Sequence, residues 1–486
     1  MSLLTGRVSA ETGYAGSPPG SRRDDLRYIV WEGALSSIFV VLTGGAFVAG
    51  MALMLGAGDF EISLLAALPL LAQATQPLSV LLPKFAEDRR RLSVWGLTLG
   101  RQIWWLAVPL LFLKGQWELF ALLVLVGMSS IATMLVTPVW LSWVSDIVPR
   151  EIRGRFFGAR SAMVAGSTLM FAILGSLVLD WTRDADRESL GYAVVVAIAA
   201  TAAGLGSTVL SRVSEAPMPA PLLRDKTVHW ARPIRDREFR RILRVFSAWN
   251  FAIGISAPFF APHMLVNLKM SFLLIGLYSA GAAVVAVASN RSWGALIDRF
   301  GSRAVLTFCA VGIGLVPLIW LIPRAGYLWI LSFEVVYAGW LWTGFNLAAF
   351  TLPIDKSPRN DRAYYLAWFA AVTGVAFFVA SLLGGVLAEI LSDFSLKAGR
   401  QTFLNYHILF VISALLRLAS AGLMLVLTDR SEQRLPVMVQ QMSYAVLRWL
   451  LMGRLIVPCP PDIMDNSKPE HKGPDDHLSR TDRTTQ

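Results

Sequence analysis

Twelve long apolar stretches run through this chain, and a basic linker divides them into two sets of six. The hydrocarbon core of a bilayer is about 30 Å thick, so a helix needs roughly 20 apolar residues to cross it. The stretches begin near Tyr28, Phe60, Val94, Trp117, Phe157, Leu190, Phe239, Phe272, Ala304, Tyr327, Arg362 and Leu404. Because backbone polar groups in lipid must be satisfied within the chain, we predict an all-α polytopic membrane protein with twelve transmembrane helices.

The distribution of charge excludes a soluble, nucleic-acid-binding protein. Only 16% of the residues are charged, whereas soluble domains carry about 25%. The formal net charge is +11, but the basic residues concentrate in loops that should share one side of the membrane. Basic residues favour the cytoplasmic side. We therefore predict a protein of the cell membrane (plasma or inner) with both termini cytoplasmic, in contact with membrane lipids and with no nucleic-acid partner.

The expected organisation follows from the helix count. We predict a cytoplasmic N-terminal tail over residues 1–26, a six-helix bundle over 27–212, a cytoplasmic linker over 213–240, a second six-helix bundle over 241–429 and a cytoplasmic tail over 430–486. Within that tail, residues 435–457 are apolar but interrupted by charge. They are either an interfacial amphipathic helix, which we favour, or a thirteenth span. The remaining tail is polar and is expected to be disordered.

The two halves of the chain repeat each other. At a spacing of 209 residues, Phe156 corresponds to Tyr365, and Gly175 corresponds to Gly384. Each match is weak alone, but their agreement with the helix count favours an internal duplication. We therefore predict two pseudo-symmetric six-helix bundles.

A conspicuous motif lies between helices eight and nine. It reads Gly294-Ala-Leu-Ile-Asp298-Arg299-Phe-Gly301-Ser-Arg303. It resembles the G-x-x-x-D-R-x-G-x-R signature loop of the major facilitator superfamily. The resemblance implies two bundles that rock about a central site, with helices one, four, seven and ten lining the cavity.

A second loop, residues 149–158, contains Arg153 and is similar to the other cytoplasmic signature of that superfamily. We predict that these two motifs form a cytoplasmic gate. Gly294 would allow close helix approach, and Asp298 would accept hydrogen bonds at the start of helix eleven, near Arg362. Arg299 and Arg303 would pair across the halves or with lipid phosphate.

Four charged residues fall inside predicted helices. Charge in the membrane is costly and normally faces a cavity or a partner. The resemblance makes Glu32 and Glu334 candidates for the cavity and Arg101 and Arg417 structural. Glu32 could instead pair with nearby arginines such as Arg27, and Glu334 could either carry a coupling proton or be permanently paired. The candidate residues for the substrate and coupling cavity are Glu32, Asn250, Glu334, Tyr337, Trp340 and Asn346.

No pattern in the chain predicts an enzyme. There is no P-loop, the histidines lack metal-ligand spacing, and no cofactor or metal site is expected. We predict a secondary active transporter that moves a small solute by alternating access, with the proton as the candidate coupling ion. The alternatives are a non-transporting sensor or scaffold of the same fold, and an exporter or flippase of an amphipathic compound. Substrate, direction and oligomeric state stay open.

Overall fold

The computed structural model describes residues 21–84, 88–113, 115, 117–149, 152–215, 232–358, 361–399 and 401–427. The segment predicted to be interfacial, 435–457, lies outside the described residues, and so does most of the predicted linker. The elements below belong to the described part of the chain.

The first half contributes six spans. They are α1 (Ser21–Leu42 and, after a break, Gly45–Met54), α2 (Asp59–Leu71, continued by a 3-10 helix over Ala72–Lys84), α3 (Arg89–Gln102, a 3-10 helix over Ile103–Leu106, then Ala107–Leu110), α4 (Glu118–Ile147), α5 (Arg153–Asp184) and α6 (Glu188–Leu210). A short helix, Arg232–Arg235, then precedes the second half.

The second half contributes six more spans. They are α7 (Arg237–Gly254, then short turns over Ala257–Phe259, Phe260–Pro262 and His263–Asn267), α8 (Phe272–Phe300), α9 (Ser302–Ile319), α10 (Trp329–Lys356), α11 (Arg362–Ile390) and α12 (Asn405–Leu423, ending in a 3-10 turn over Met424–Val426). Strands β1 (Ser395–Ala398) and β2 (Gln401–Leu404) form an antiparallel hairpin between α11 and α12.

The membrane-spanning architecture predicted from the sequence is confirmed. In the described part of the chain, eleven helices are long and apolar enough to cross a membrane. The predicted third span, α3, completes the set, but its helix is interrupted near Ile103 and again near Pro109, which lacks a backbone N–H. The all-α prediction did not include the hairpin. Its turn contains Gly399 with φ +61°, a conformation that glycine adopts without strain.

The duplication is visible in equivalent close packing. Helix α5 packs on α1 and α11 packs on α7, and in each pair a glycine lies near the break in the partner helix. A Cβ on Gly175 would lie 2.6 Å from Leu42 Cδ2, and one on Gly384 would lie 2.4 Å from the carbonyl oxygen of Ile255. Small residues let helix backbones approach in lipid, so these two glycines perform the same packing role in each half.

Replacing Gly384 with valine should destabilise the second half. The new side chain would be forced onto the backbone of Ile255, and overpacking of this kind typically costs about 1–3 kcal/mol. We expect a lower melting temperature in a fluorescence-detected size-exclusion assay. The matched control is Gly422→Val in α12, because nothing lies within 4 Å of a Cβ there. Equal melting temperatures for the two variants would contradict the packing role.

The bundle has two ends, which we call the linker face and the hairpin face. The linker face holds the start of α1, the turns α2–α3, α4–α5, α8–α9 and α10–α11, and both described ends of the linker. The hairpin face holds the other turns and the β1–β2 hairpin.

The described ends of the linker are attached to both halves at the linker face. The Ser214 amide donates to Asp25 Oδ1 at 2.9 Å, and the Trp143 indole donates to the Ser214 carbonyl at 3.2 Å. At the other end, Arg232 pairs with Asp361 at 2.7 Å.

Candidate functional site

The two halves are joined at the hairpin face by α5 and α8. The backbone N–H groups of Phe272 and Leu273, in the first turn of α8, each donate to the Asp180 carboxylate at 2.8 Å. A carboxylate is favoured at a helix N-terminus, where unpaired N–H groups carry partial positive charge. One turn deeper, a Cβ on Gly276 would lie 2.8 Å from Ser176 Oγ. Asp180 therefore fastens one half to the other.

A second contact between the halves joins α2 and α11. Ser381 Oγ donates to the Ser63 carbonyl at 2.9 Å, and a Cβ on Gly374 would lie 2.2 Å from the Leu70 carbonyl oxygen. Leu70 lies about 16 Å along α2 from its start at Asp59. The contact extends past the middle of the bundle, because α11 also packs on the 3-10 extension of α2 over Ala72–Lys84.

Asp59 itself strengthens this closure. Its carboxylate accepts hydrogen bonds from Asn405 Nδ2 at 3.0 Å and from the Tyr406 hydroxyl of α12.

At the linker face the corresponding helix ends have open space beside them. Nothing lies within 4 Å of a Cβ built on Gly158 in α5 or on Gly294 in α8. Asp298 is exposed and has no hydrogen bond or ion pair within the described residues. Helices α5 and α8 are therefore joined at the hairpin face, whereas these two glycines of the same helices have open space beside them at the linker face.

The predicted gating residues are placed as follows. Gly301 has φ +84° and forms the tight α8–α9 turn. Arg303 donates to the Leu425 carbonyl, and the Arg299 guanidinium lies over the Phe300 ring at 5.0 Å. Arg153 starts α5, but its side chain lies outside the described part.

The helix packing around this motif bears on the expected gate. Helix α8 packs against α5, α9 and α10, whereas α11, which begins at Arg362, packs mainly against α2 and α7. The partner of Asp298 in a closed gate stays a prediction. No atom lies within 4 Å of a Cβ built on Gly294, so this glycine makes no close helix contact within the described residues.

Glu32 lies at the centre of a buried charge cluster in the first half. Its side chain is only 2% exposed. One carboxylate oxygen accepts from Arg101 of α3 at 3.4 Å and from Ser36, and the other accepts from Arg160 of α5 at 3.5 Å. The alternative partner Arg27 instead lies 3.8 Å from Asp24. Two guanidinium groups thus surround one carboxylate.

Glu334 lies in a different environment, five residues into α10 from the hairpin face. It is 1% exposed and accepts hydrogen bonds from the Tyr278 hydroxyl of α8 at 2.7 Å and from the Trp320 indole at 3.2 Å. No cation pairs with it in the described part of the chain. Burial of a charge without a counter-charge is costly, so this carboxyl group is a candidate for proton exchange.

The other predicted cavity residues do not join either carboxylate. Asn250 donates to the Phe246 carbonyl of its own helix at 2.9 Å. The Tyr337 hydroxyl donates to the Gly312 carbonyl of α9 at 3.0 Å, Trp340 packs on Trp293 at 4.7 Å, and Asn346 is exposed. The six candidates are therefore distributed over several environments.

An aromatic wall joins α7 to α10. The Trp249 ring stacks on Phe345 at 4.7 Å and lies 6.5 Å from Trp342. Its indole N–H is buried without a hydrogen-bond partner among the described residues.

Arg417 has the structural position that the sequence predicts. It is 2% exposed, and it donates to Ser256 Oγ at 3.2 Å, at the residue where α7 breaks. A cation beside the C-terminal end of a helix segment is favoured by the helix dipole.

Sequence reasoning missed three residues that the fold makes important. Arg160 follows a basic loop and has no distinguishing sequence pattern, yet it pairs with Glu32. Asp59 and Asp180 join the halves, although each looks like an ordinary acidic residue near a helix end. Asp59 and Asp180 are distinguished only by their position next to the other half of the chain. Spacing along the sequence does not reveal that position.

Comparisons with known proteins agree with this fold. The family model described as Major Facilitator Superfamily matches residues 249–458. No curated protein sequence matches the chain significantly.

Three solved structures show the same fold. A mutant of the nucleoside transporter NupG matches with a TM-score of 0.63 at 12% identity, over 83% of this chain and 100% of that chain. A D-xylose-proton symporter matches with a TM-score of 0.63 at 14% identity, over 85% and 99%. A bacterial homologue of the iron transporter ferroportin, in an inward-facing state, matches with a TM-score of 0.59 at 15% identity, over 85% and 100%.

The twelve-span fold, the α8–α9 signature loop and the family match point the same way. Residues 249–458 match the model of the Major Facilitator Superfamily, and the described chain shares its fold with solved membrane transporters.

Proposed function

We propose that the protein is a secondary active transporter that moves a small solute across the cell membrane by alternating access, coupled to a proton gradient. The observation that carries the proposal is the asymmetry of the two faces. Asp180 of α5 binds the start of α8 at the hairpin face, whereas open space lies beside Gly158 and Gly294 of the same two helices at the linker face. Movement of one bundle against the other about a central site is how such folds transport.

The orientation follows from the basic residues of the linker face. By the excess of Arg and Lys there, we assign the linker face to the cytoplasm, with both termini on that side. The conformation described here is then the inward-open one. The two contacts at the hairpin face would have to break for the site to open outward.

Glu334 is the group that we assign to proton coupling. It is buried, its two partners, Tyr278 and Trp320, are neutral, and it bridges α10 to α8 and to the end of α9. Intramembrane carboxyl groups of this kind commonly form proton pathways in transporters. That a D-xylose-proton symporter shares the fold supports the assignment by analogy.

Replacing Glu334 with glutamine should uncouple solute from protons. The amide of glutamine keeps the size of the side chain, but it cannot gain and lose a proton as a carboxyl group does. Candidate solutes are added to proteoliposomes in a weakly buffered medium that contains a fluorescent pH indicator. A transported solute should change the medium pH with the wild-type protein, and we expect at least a tenfold smaller change with Glu334→Gln.

The matched control is Glu389→Gln, because Glu389 is an exposed carboxylate near the end of α11. It should behave as the wild type. If Glu334→Gln changes the pH as fast as the wild type does, Glu334 is not the coupling group. Solutes that stabilise the wild type against heat without any flux would instead favour the sensor or scaffold alternative.

A further inference from the structure

Arg160 is held in a fixed position inside the first half. A Cβ on Gly33 would lie 2.8 Å from Arg160 Nε and 2.9 Å from Cζ, so the guanidinium lies flat against the α1 backbone at a glycine. On its other side it lies over the Trp140 ring of α4, 5.3 Å from the centroid. Its Nε donates to the Ile29 carbonyl at 3.4 Å. Three helices, α1, α4 and α5, therefore fix this one side chain.

The cluster around Arg160 has an excess of positive charge. Glu32 supplies one negative charge, whereas Arg101 and Arg160 supply two positive charges. Other acidic groups of this half are engaged elsewhere, since Asp146 pairs with Arg89 and Asp25 accepts from Ser214. Within the described residues, one unit of positive charge is left without a counter-charge, and it lies where burying unpaired charge is costly.

The same place offers unused hydrogen-bond donors. Arg160 Nη1 makes no hydrogen bond within the described residues, and the Arg160 side chain is 20% exposed. The Trp140 indole Nε1 is buried and also lacks a partner there. Both oxygens of Glu32 are already occupied. A ligand at this point would meet unused donors and a positive charge.

We propose that Arg160 and Trp140 bind an oxyanion, the carboxylate or phosphate group of the transported solute. The proposal rests on the proposed transport function and names its substrate class. A guanidinium presents its N–H groups in the geometry that carboxylate and phosphate accept. Glu32 is the internal counter-anion that keeps Arg160 in place, and the solute anion supplies the second negative charge that the cluster lacks. The phosphate of a lipid headgroup has the same chemistry, so the experiment must separate the two sources.

The test measures binding of inorganic phosphate, succinate and benzoate to the full chain. The protein is placed in nanodiscs of phosphatidylcholine, which has no net charge, and binding is followed by isothermal titration calorimetry. Succinamide, a neutral analogue of succinate, is the comparison ligand. We expect at least one oxyanion to bind at least tenfold more tightly than succinamide.

Variants then locate the site. Arg160→Gln should weaken oxyanion binding at least tenfold, and Arg160→Lys should restore part of the affinity because it keeps the charge. Trp140→Phe keeps the ring but removes the unpaired donor, and it should weaken binding by about 3- to 10-fold. The matched control is Arg212→Gln, an exposed arginine at the end of α6, which should bind as the wild type does. If Arg160→Gln does not fold, the lysine and phenylalanine variants decide the question.

Two results would overturn the proposal. One is that no oxyanion binds, or that succinamide binds equally well. The other is that Arg160→Lys and Trp140→Phe bind with wild-type affinity. Repeating the titration in phosphatidylglycerol nanodiscs tests the source, because complete loss of binding there would assign the site to lipid headgroups and overturn the assignment to the solute.

This outcome is separable from that of the transport function. Oxyanion binding at Arg160 without any flux in proteoliposomes would support the proposed oxyanion site and refute the proposed transport function. If a neutral solute shows proton-coupled flux, and Arg160→Gln leaves that flux unchanged, the transport function is supported and the proposed oxyanion site is refuted.

Discussion

Replacing Glu32 with alanine should lower the free energy of unfolding by about 3–5 kcal/mol, because the change leaves Arg101 and Arg160 buried without their shared counter-charge. The two guanidinium side chains are only 9% and 20% exposed. They would also face each other without a carboxylate between them. The measurement is a denaturant titration of the purified protein in detergent micelles, followed by circular dichroism.

Two further variants identify the cause of this destabilisation. Glu188→Ala removes a carboxylate from an ion pair with Arg183 whose side chains are 40% and 50% exposed, and exposed pairs contribute only about 0–1 kcal/mol. Adding Arg101→Met to Glu32→Ala removes one of the unpaired charges and should recover part of the loss. If Glu32→Ala lowers the free energy of unfolding no more than Glu188→Ala does, water must reach the charge cluster, and the argument from burial fails.

The second large effect is expected from Asp180→Asn, which should open the hairpin face. Asparagine retains one acceptor oxygen but loses the charge that the first turn of α8 attracts. Both hydrogen bonds, to Phe272 and Leu273 at 2.8 Å, are of the charge-assisted kind. We expect the conformation with the hairpin face closed to lose about 2 kcal/mol of stability relative to the conformation with that face open. The ratio of the two populations should therefore change by more than tenfold.

The population shift can be measured as a distance. Spin labels at Ser161→Cys in α5 and Ser292→Cys in α8, both exposed, report the separation of the halves near the linker face. The native Cys309 and Cys459 are first replaced by alanine. In Asp180→Asn the distribution should move toward shorter distances, since the linker face closes as the hairpin face opens.

The control for this experiment is Asp184→Asn, four residues further along α5. Asp184 is exposed and has no hydrogen bond or ion pair with α8 within the described residues, so its variant should give the wild-type distribution. An unchanged distribution in Asp180→Asn would mean that the carboxylate does not hold the halves together. The α2–α11 contact would then be sufficient to keep the hairpin face closed.

Much of the architecture could be predicted from the order of residues, and the reason is physical. Crossing a bilayer requires a minimum apolar length in every span. The positions of α1 to α12 can therefore be predicted from the hydropathy of each segment by itself. The repeat was also detectable, because Gly175 and Gly384 keep equivalent places beside helix breaks. The broken α3 and the hairpin were not predicted, since neither changes the apolar pattern by which spans are recognised.

The site was much less predictable. Glu32 and Glu334 were noticed because a carboxylate is out of place in an apolar helix, but their partners were not identified. Arg160 lies 128 residues from Glu32 in the chain, and it looked like one more basic residue near a loop. The partner of Asp298 stays a prediction, because spacing along the chain does not tell which helix starts lie side by side.

The sequence by itself determined that this chain crosses the membrane in two repeated sets of six helices with a basic face, because the cost of placing polar backbone and charge in lipid acts on each segment separately. Only the tertiary structure decided that Glu32 meets Arg101 and Arg160, that Asp180 caps α8, and that open space lies beside Gly158 and Gly294 at the linker face. Those outcomes depend on how distant helices pack, and packing is set by complementary surfaces that no single stretch of the chain contains.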